Sequence, residues 1–330
     1  MKEVGVIGFM KHSTHITIIL LSIFVLSQVF GLFLTAPTLK ITQSVFDSNL
    51  NETVTEVIAG QELAGGGERP ETEFPVLFIA SAIIIGTLLV LLLVKFKLYK
   101  VWKIWFLLAV VYTMFQSFAS YQLFSEAIAL LLAFVFGLWK IFKPNVFVHN
   151  ITELFVYAGL AIVFVPVLGV LHMIILLLLI SIYDMYAVWK SGHMIEMAKF
   201  QTQSSVFAGV NIPYSLGRKP KKGEKVVKKK VRSAILGGGD IGFPLLFSGV
   251  VMQSLANMPS VVAQVTPTMS AASRGILLSG LLLPKVLIIT ITTTIALGLL
   301  FYFAEKDKFY PAMPFVSAGC LIGYGLMLLI

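Results

Sequence analysis

The strongest constraint on this chain is a series of long apolar runs. Each is close to the roughly 20 residues that a helix needs to cross the hydrocarbon core of a bilayer. Nine helices are predicted from them: Ile16–Thr35, Pro75–Val94, Ile104–Leu123, Ala127–Ile141, Ile151–Val170, Leu171–Val188, Ala234–Met252, Leu283–Phe303 and Pro311–Ile330. The stretch from Ile151 to Lys190 holds few charges. As one helix, at about 1.5 Å per residue, it would far overshoot a ~30 Å core. Pro166, Gly169 and His172 supply the break, so a tight helical hairpin is expected. The first run lacks a small-x-small cleavage site and reads as a span, not a removable signal. Of the 330 residues, 58% are hydrophobic and only 12% charged, against about 25% charged in soluble domains. That balance excludes a soluble enzyme, a disordered scaffold and a nucleic-acid-binding domain, despite the net charge of +9. The single Cys320 excludes an intrachain disulfide, a CxxC zinc site and an iron–sulfur cluster. The expected fold is all-α and polytopic, with nine transmembrane helices.

Lys and Arg orient such a chain, because they gather on the cytoplasmic side. With the N-terminus cytoplasmic, 21 of the 25 basic residues fall inside. They include Lys95, Lys97, Lys100 and Lys103, Lys140 and Lys143, and a large set between Lys190 and Arg232. The first outside loop instead collects acids, from Asp47 to Glu73. The chain thus divides into a membrane part at 1–190, a basic cytoplasmic loop at 191–233 and a second membrane part at 234–330. Its C-terminus lies outside. The basic stretch Arg218–Arg232 reads as a solvated loop touching anionic headgroups, not a nucleic-acid site. Of two glycosylation sequons, Asn51-Glu52-Thr53 and Asn150-Ile151-Thr152, this orientation exposes only the first to modification.

Two acids, Asp184 and Asp240, sit inside predicted helices, where a carboxylate costs several kcal/mol and marks a functional candidate. Asp184 lies about 6 Å inside the cytoplasmic end of the sixth helix, and Asp240 about 9 Å inside the start of the seventh. The two helices are consecutive and antiparallel, so the acids meet at one level. Carboxylates brought close share a proton and titrate as a unit. One can then take a proton from water while the other polarises a carbonyl. The same residues would also suit helix caps, salt bridges or an ion pathway, although no basic residue lies near them within either helix. Glu126 and Glu153 each fall in the first turn of a span, where a carboxylate reaches the interface and favours the helix N-terminus. His193 and Glu196 form no HExxH pattern, and Ser248-Gly249 and Ser279-Gly280 lack the preceding Gly of a GxSG serine site. Gly319 and Gly323 form a lone GxxxG, which reads as close helix packing.

Three motifs in order complete the picture: Tyr183-Asp184 on the sixth span, Gly237-Gly238-Gly239-Asp240 opening the seventh, and Pro311-Ala312-Met313 opening the ninth. In this set the chain resembles the presenilin and signal peptide peptidase group of GxGD intramembrane aspartyl proteases, whose motifs are YD, GxGD and PAL. The likeness extends over essentially the whole chain, and most closely to compact microbial (archaeal-type) presenilin homologues. It implies that Asp184 and Asp240 are the catalytic pair and that Gly237 and Gly239 let the seventh helix begin close to substrate. Pro311, Ala312 and Met313 would position substrate, and the segment before Ala234, with Val226, Val227 and Val231, would offer an edge to an unwound substrate strand. It implies no cofactor and no metal. The partners would be transmembrane-helix substrates within the lipid bilayer, cut by water at a peptide bond. Met313 in place of Leu implies altered selectivity, and Gly238, as a third glycine, added flexibility. A cytosolic sixth-to-seventh connection fits the presenilin branch and a cell-membrane, multi-pass protein. Two alternatives stay open: a prepilin-type GxGD peptidase, which cuts at the membrane face, and a transporter or cation leak channel using both aspartates.

Overall fold

A computed structural model describes residues 14–47, 52–60, 62–67, 75–143, 145–191, 206–213, 233–304 and 310–330. Within them run nine helices of 16 residues or more. They are α1 (Thr14–Thr35), α2 (Pro75–Lys95), α3 (Tyr99–Ala119), α4 (Glu126–Phe142), α5 (Val146–Phe164), α6 (Val170–Tyr186), α7 (Gly238–Ala256), α8 (Ala271–Phe303) and α9 (Met313–Leu328). Seven are long and apolar enough to cross a membrane, and α9 is a shorter apolar helix. Each falls where an apolar run predicts it. The basic stretch Arg218–Arg232, with Val226, Val227 and Val231, lies outside the described residues, as do His193, Glu196 and Asn51.

The hairpin expected between the fifth and sixth helices is present. A 3-10 turn at Val165–Val167, containing Pro166, ends α5, and Gly169 precedes α6. The Gly169 amide donates to Nδ1 of His172 at 3.3 Å. This short link turns the chain from α5 into α6, and both helices pack against α7.

Three features depart from the sequence expectation. Residues Ser233–Gly237, read as the start of the seventh helix, are a strand, β4, paired antiparallel with β3 (Gly209–Pro213). A second hairpin, β1 (Ile41–Asp47) with β2 (Glu52–Ala59), occupies the first loop. It is tied to the end of α7: Asn257 Oδ1 accepts from the Thr42 amide, and Gln253 Oε1 from the Lys40 amide, each at 2.9 Å. The eighth helix begins at Ala271, well before Leu283. Arg274 looked like a loop residue, but it is buried and donates through Nε and Nη2 to the Pro37 carbonyl at 3.2 and 2.8 Å. It therefore caps the C-terminal end of α1, where a cation is favourable. At 33 residues, α8 spans about 50 Å, more than the ~30 Å core needs. Between α7 and α8, a helical turn at Pro259–Val262 and buried Val261 and Val265 make 254–272 a packed connection.

The core forms around α7, which packs against α1, α5, α6, α8 and α9. Phe247, fully buried on α7, meets the ring of Tyr324 on α9 edge-on at 5.8 Å. Gln28 of α1 donates to the Ile241 carbonyl at 2.9 Å, and so holds the first turns of α7. Gly319 and Gly323 of α9 lie against the backbone of α8 near Ile289 and Thr293, the close packing expected of that GxxxG.

Candidate active site

The first turn of any helix leaves amides without intrahelical partners. In α9 these are managed by Pro314, near the start, which has no amide to satisfy. The amide of Met313, at the first helical position, bonds Oδ2 of Asp184 at 3.1 Å. The Ala312 amide faces the same carboxylate. Asp184, half-buried in the last turn of α6, is thus held at the N-terminus of α9, where the helix dipole favours an anion. Ser181, one turn back, donates to Ser317 Oγ at 2.8 Å and fastens α6 to α9 at the same end. Met313 and Pro311 are buried and Ala312 half-buried, so this tripeptide meets Asp184 through its backbone. Tyr183 is 45% exposed and turns outward, away from these contacts.

Asp240 sits in the first turn of α7, three residues after the N-cap Gly237, and is also half-buried. A Cβ on Gly237 would lie 3.0 Å from Asp240 Oδ2, tighter than most packing contacts, so the absence of a side chain there leaves room for the carboxylate over the helix start. Gly239 has ordinary room for a Cβ, as does Gly238, so the steric demand falls on Gly237 alone. Pro244, four residues on, lacks the amide that would bond the Asp240 carbonyl in a regular helix.

The start of α7 is fixed in space by β3–β4. The Gly238 amide donates to the Ala208 carbonyl at 3.3 Å. Gly209, at φ +143° and with no room for a Cβ beside the Leu236 carbonyl, can only be glycine. On its other edge β3 is covered by α5: Asn150 bonds both the amide and the carbonyl of Asn211 at 3.0 Å, and His149 Nε2 donates to the Gly209 carbonyl at 2.7 Å. In an antiparallel pair, facing residues alternate between inward and outward backbone groups. Since Asn211 points its groups at α5, its partner Ile235 points its own away from β3. Ile235 is 48% exposed, and among the described residues no strand pairs with the other edge of β4, three residues before Asp240 at its Gly237 end.

These links put the end of α6, the start of α7, the start of α9 and β4 at one end of the bundle. Asp184 and Asp240 therefore lie towards the same end of two helices that pack together, each associated with a helix N-terminus. Sequence reading missed a third group there. Lys140 and Glu153 were expected at the membrane interface, but they form an ion pair at 2.7 Å with both side chains 2% exposed. The correction has a physical cause: α4 and α5 face each other, so each charge finds its partner inside the protein instead of reaching water. Glu126 stays at the surface, where it accepts from the Gly65 amide at 3.3 Å.

This arrangement of helices and acids has known relatives. Residues 21–330 match the family described as signal-peptide peptidase, presenilin aspartyl protease, and the chain belongs to that family. A presenilin family intramembrane aspartate protease, solved in a C222 crystal form, is similar in fold at a TM-score of 0.58. It shares 15% identity, and the match covers 95% of this chain and 98% of the other. A P2 form gives a TM-score of 0.56 at 16% identity, covering 94% and 96%. No curated protein gives a match. The protein is an intramembrane aspartyl protease, embedded in the bilayer by several spans and acting on membrane-spanning substrates. Neither transport nor prepilin-type cutting is favoured by these likenesses.

Proposed function

We propose that Asp184 and Asp240 are the catalytic pair of this protease. The observation that supports the reading is the bond from the Met313 amide at the start of α9 to Asp184, with Asp240 in the first turn of α7, a helix that packs against both α6 and α9. The pair shares one proton. The ionised member accepts a proton from water as its oxygen attacks the scissile carbonyl, and the protonated member donates to that carbonyl oxygen. Collapse of the tetrahedral intermediate breaks the C–N bond and passes a proton to the leaving amine. The pair ends with one proton, as it began.

A helical substrate hides its carbonyls in i→i−4 bonds, so it must unwind before attack. The open edge of β4 offers replacement backbone bonds for an extended strand, and the Asn150 cover on β3 leaves β4 as the edge available to it. Pro311, Ala312 and Met313 position that strand as well as Asp184. Gly237 keeps the approach to Asp240 clear, with Gly238 and Gly239 completing the turn, and Tyr183 contributes from the rim of the site. The β3–β4 end faces the cytoplasm with the N-terminus and the loop 191–233, between membrane parts 1–190 and 234–330, and the C-terminus lies outside. Mass spectrometry of products from a helical membrane substrate tests the reading. New termini inside the substrate's membrane span are expected from the unaltered protein and none from Asp184→Asn or Asp240→Asn at equal expression. Cleavage retained by either variant ends the proposal.

A further inference from the structure

Asn150, which opens a glycosylation sequon, has its side chain engaged inside the protein. Half-buried near the start of α5, it donates through Nδ2 to the Asn211 carbonyl and accepts from the Asn211 amide at Oδ1, each at 3.0 Å. A carboxamide carries the same kinds of donor and acceptor as a peptide group, so this side chain stands where a neighbouring strand would lie beside β3. His149 adds a bond to the Gly209 carbonyl, two residues along. The stretch of α5 that carries both is itself anchored. Lys140 of α4, its side chain 2% exposed, donates to the His149 carbonyl at 3.3 Å, to Thr152 Oγ1 at 3.1 Å and to Glu153 Oε1 at 2.7 Å. All three ammonium protons are used, and α4 fixes the part of α5 on which the hairpin rests.

We infer that Asn150 is a positioning residue: by clamping β3 to α5 it fixes where along a substrate the cut falls. The inference rests on Asp184 and Asp240 being the catalytic pair and on substrate lying along β4. The two acids are carried by α6 and α7, and the start of α7 has its own tie to α1 through Gln28. A substrate strand on β4 moves instead with the hairpin, which among the described residues is a sheet of two strands. Two strands alone are marginally stable, and α5 is the helix that β3 packs against most. A peptide bond misplaced by about 1 Å reacts about 10²-fold more slowly. A hairpin loosened from α5 therefore offers the preferred bond less often, and its neighbours more often.

The test identifies the products of a helical transmembrane substrate cut by the full chain in liposomes. Asn150→Ala is compared with the unaltered protein, Asp240→Asn and Ile235→Pro. The expected result for Asn150→Ala is a ratio of main to neighbouring cuts lowered about tenfold, the scale set by two hydrogen bonds. A ratio that stays unchanged, or loss of all cleavage, would overturn the inference; a lowered thermal midpoint beside an unchanged ratio would mark the bonds as structural only. Proline at 235 lacks the amide that Ile235 turns away from β3, so it spares the ladder and withdraws one bond from substrate. Undiminished cleavage by Ile235→Pro would remove the reading of β4, and cleavage by Asp240→Asn that of the pair. With both of those impaired, an unmoved ratio in Asn150→Ala would remove the role of Asn150 alone.

Discussion

Two of the membrane-capable helices, α2 and α7, occupy opposite extremes. Of the seven, α2 is the most apolar and α7 the least. Yet only 6% of the central α2 window is buried inside the protein, against 67% for α7. α2 packs chiefly against α3 and α6, while α7 touches five other helices. In water the more apolar helix would take the interior. In a bilayer lipid is as apolar as leucine, so hydrophobicity gives a helix no reason to leave it, and small residues and polar bonds decide who sits at the centre. α7 carries Gly242, Ser248 and Gly249, all buried, along with Asp240 and Pro244. α2 presents Ile84, Ile85 and Leu88 outward, each at least 60% exposed. The helix with the poorest membrane-insertion chemistry is thus the one that the others assemble around.

Substitutions on the two helices can sharpen or break this contrast. The largest stability effect is expected from Phe247→Ala on α7. Unfolding moves that ring into lipid instead of water, so the cavity part of the usual 3–5 kcal/mol remains, about 2 kcal/mol. Leu88→Ala on α2 should stay within about 0.5 kcal/mol. Reversible unfolding in mixed micelles checks both, and equal losses would erase the distinction. Next comes Gly249→Val: a Cβ there already lies 2.6 Å from Val165 Cγ2, and overpacking costs about 1–2 kcal/mol. At Gly86 of α2 a Cβ meets open space, so Gly86→Ala should raise stability by about 0.5 kcal/mol through helix propensity. The smallest loss among the α7 contacts is expected from Gln28→Leu, which removes the bond from α1 to the Ile241 carbonyl. Interhelical bonds of this kind average about 0.6 kcal/mol in membranes. A thermal midpoint unaltered by Gln28→Leu would mean that packing alone centres α7.

Much of the helical plan can be read along the chain, because a helix in lipid satisfies its backbone within one continuous segment. The break at Pro166–Gly169 was visible for the same reason, as were the two acids. What escaped reading depended on residues far apart. Arg274 looked like a loop marker because its acceptor, the Pro37 carbonyl, lies 237 positions away. Residues Ser233–Gly237 look apolar and helix-ready, but their partners in β3 lie 20 or more residues earlier. Lys140 and Glu153 each suit an interface, and only the contact between α4 and α5 turns them inward as a pair.

The amino-acid order alone determined that the chain enters a membrane and roughly where it crosses, and it singled out two carboxylates within the helical segments. Those properties follow from local backbone bonding and from the cost of charge in hydrocarbon, both settled within a single segment. The depth expected for Asp240 is corrected by the later start of α7, which puts it in the first turn. The tertiary structure decided which helix stands at the centre, that Asp184 takes the Met313 amide of α9, that β4 pairs with β3, and that Tyr157 stands against the start of α7. Those depend on close contacts between segments, where ångström fit between surfaces, not apolar character, selects the neighbour.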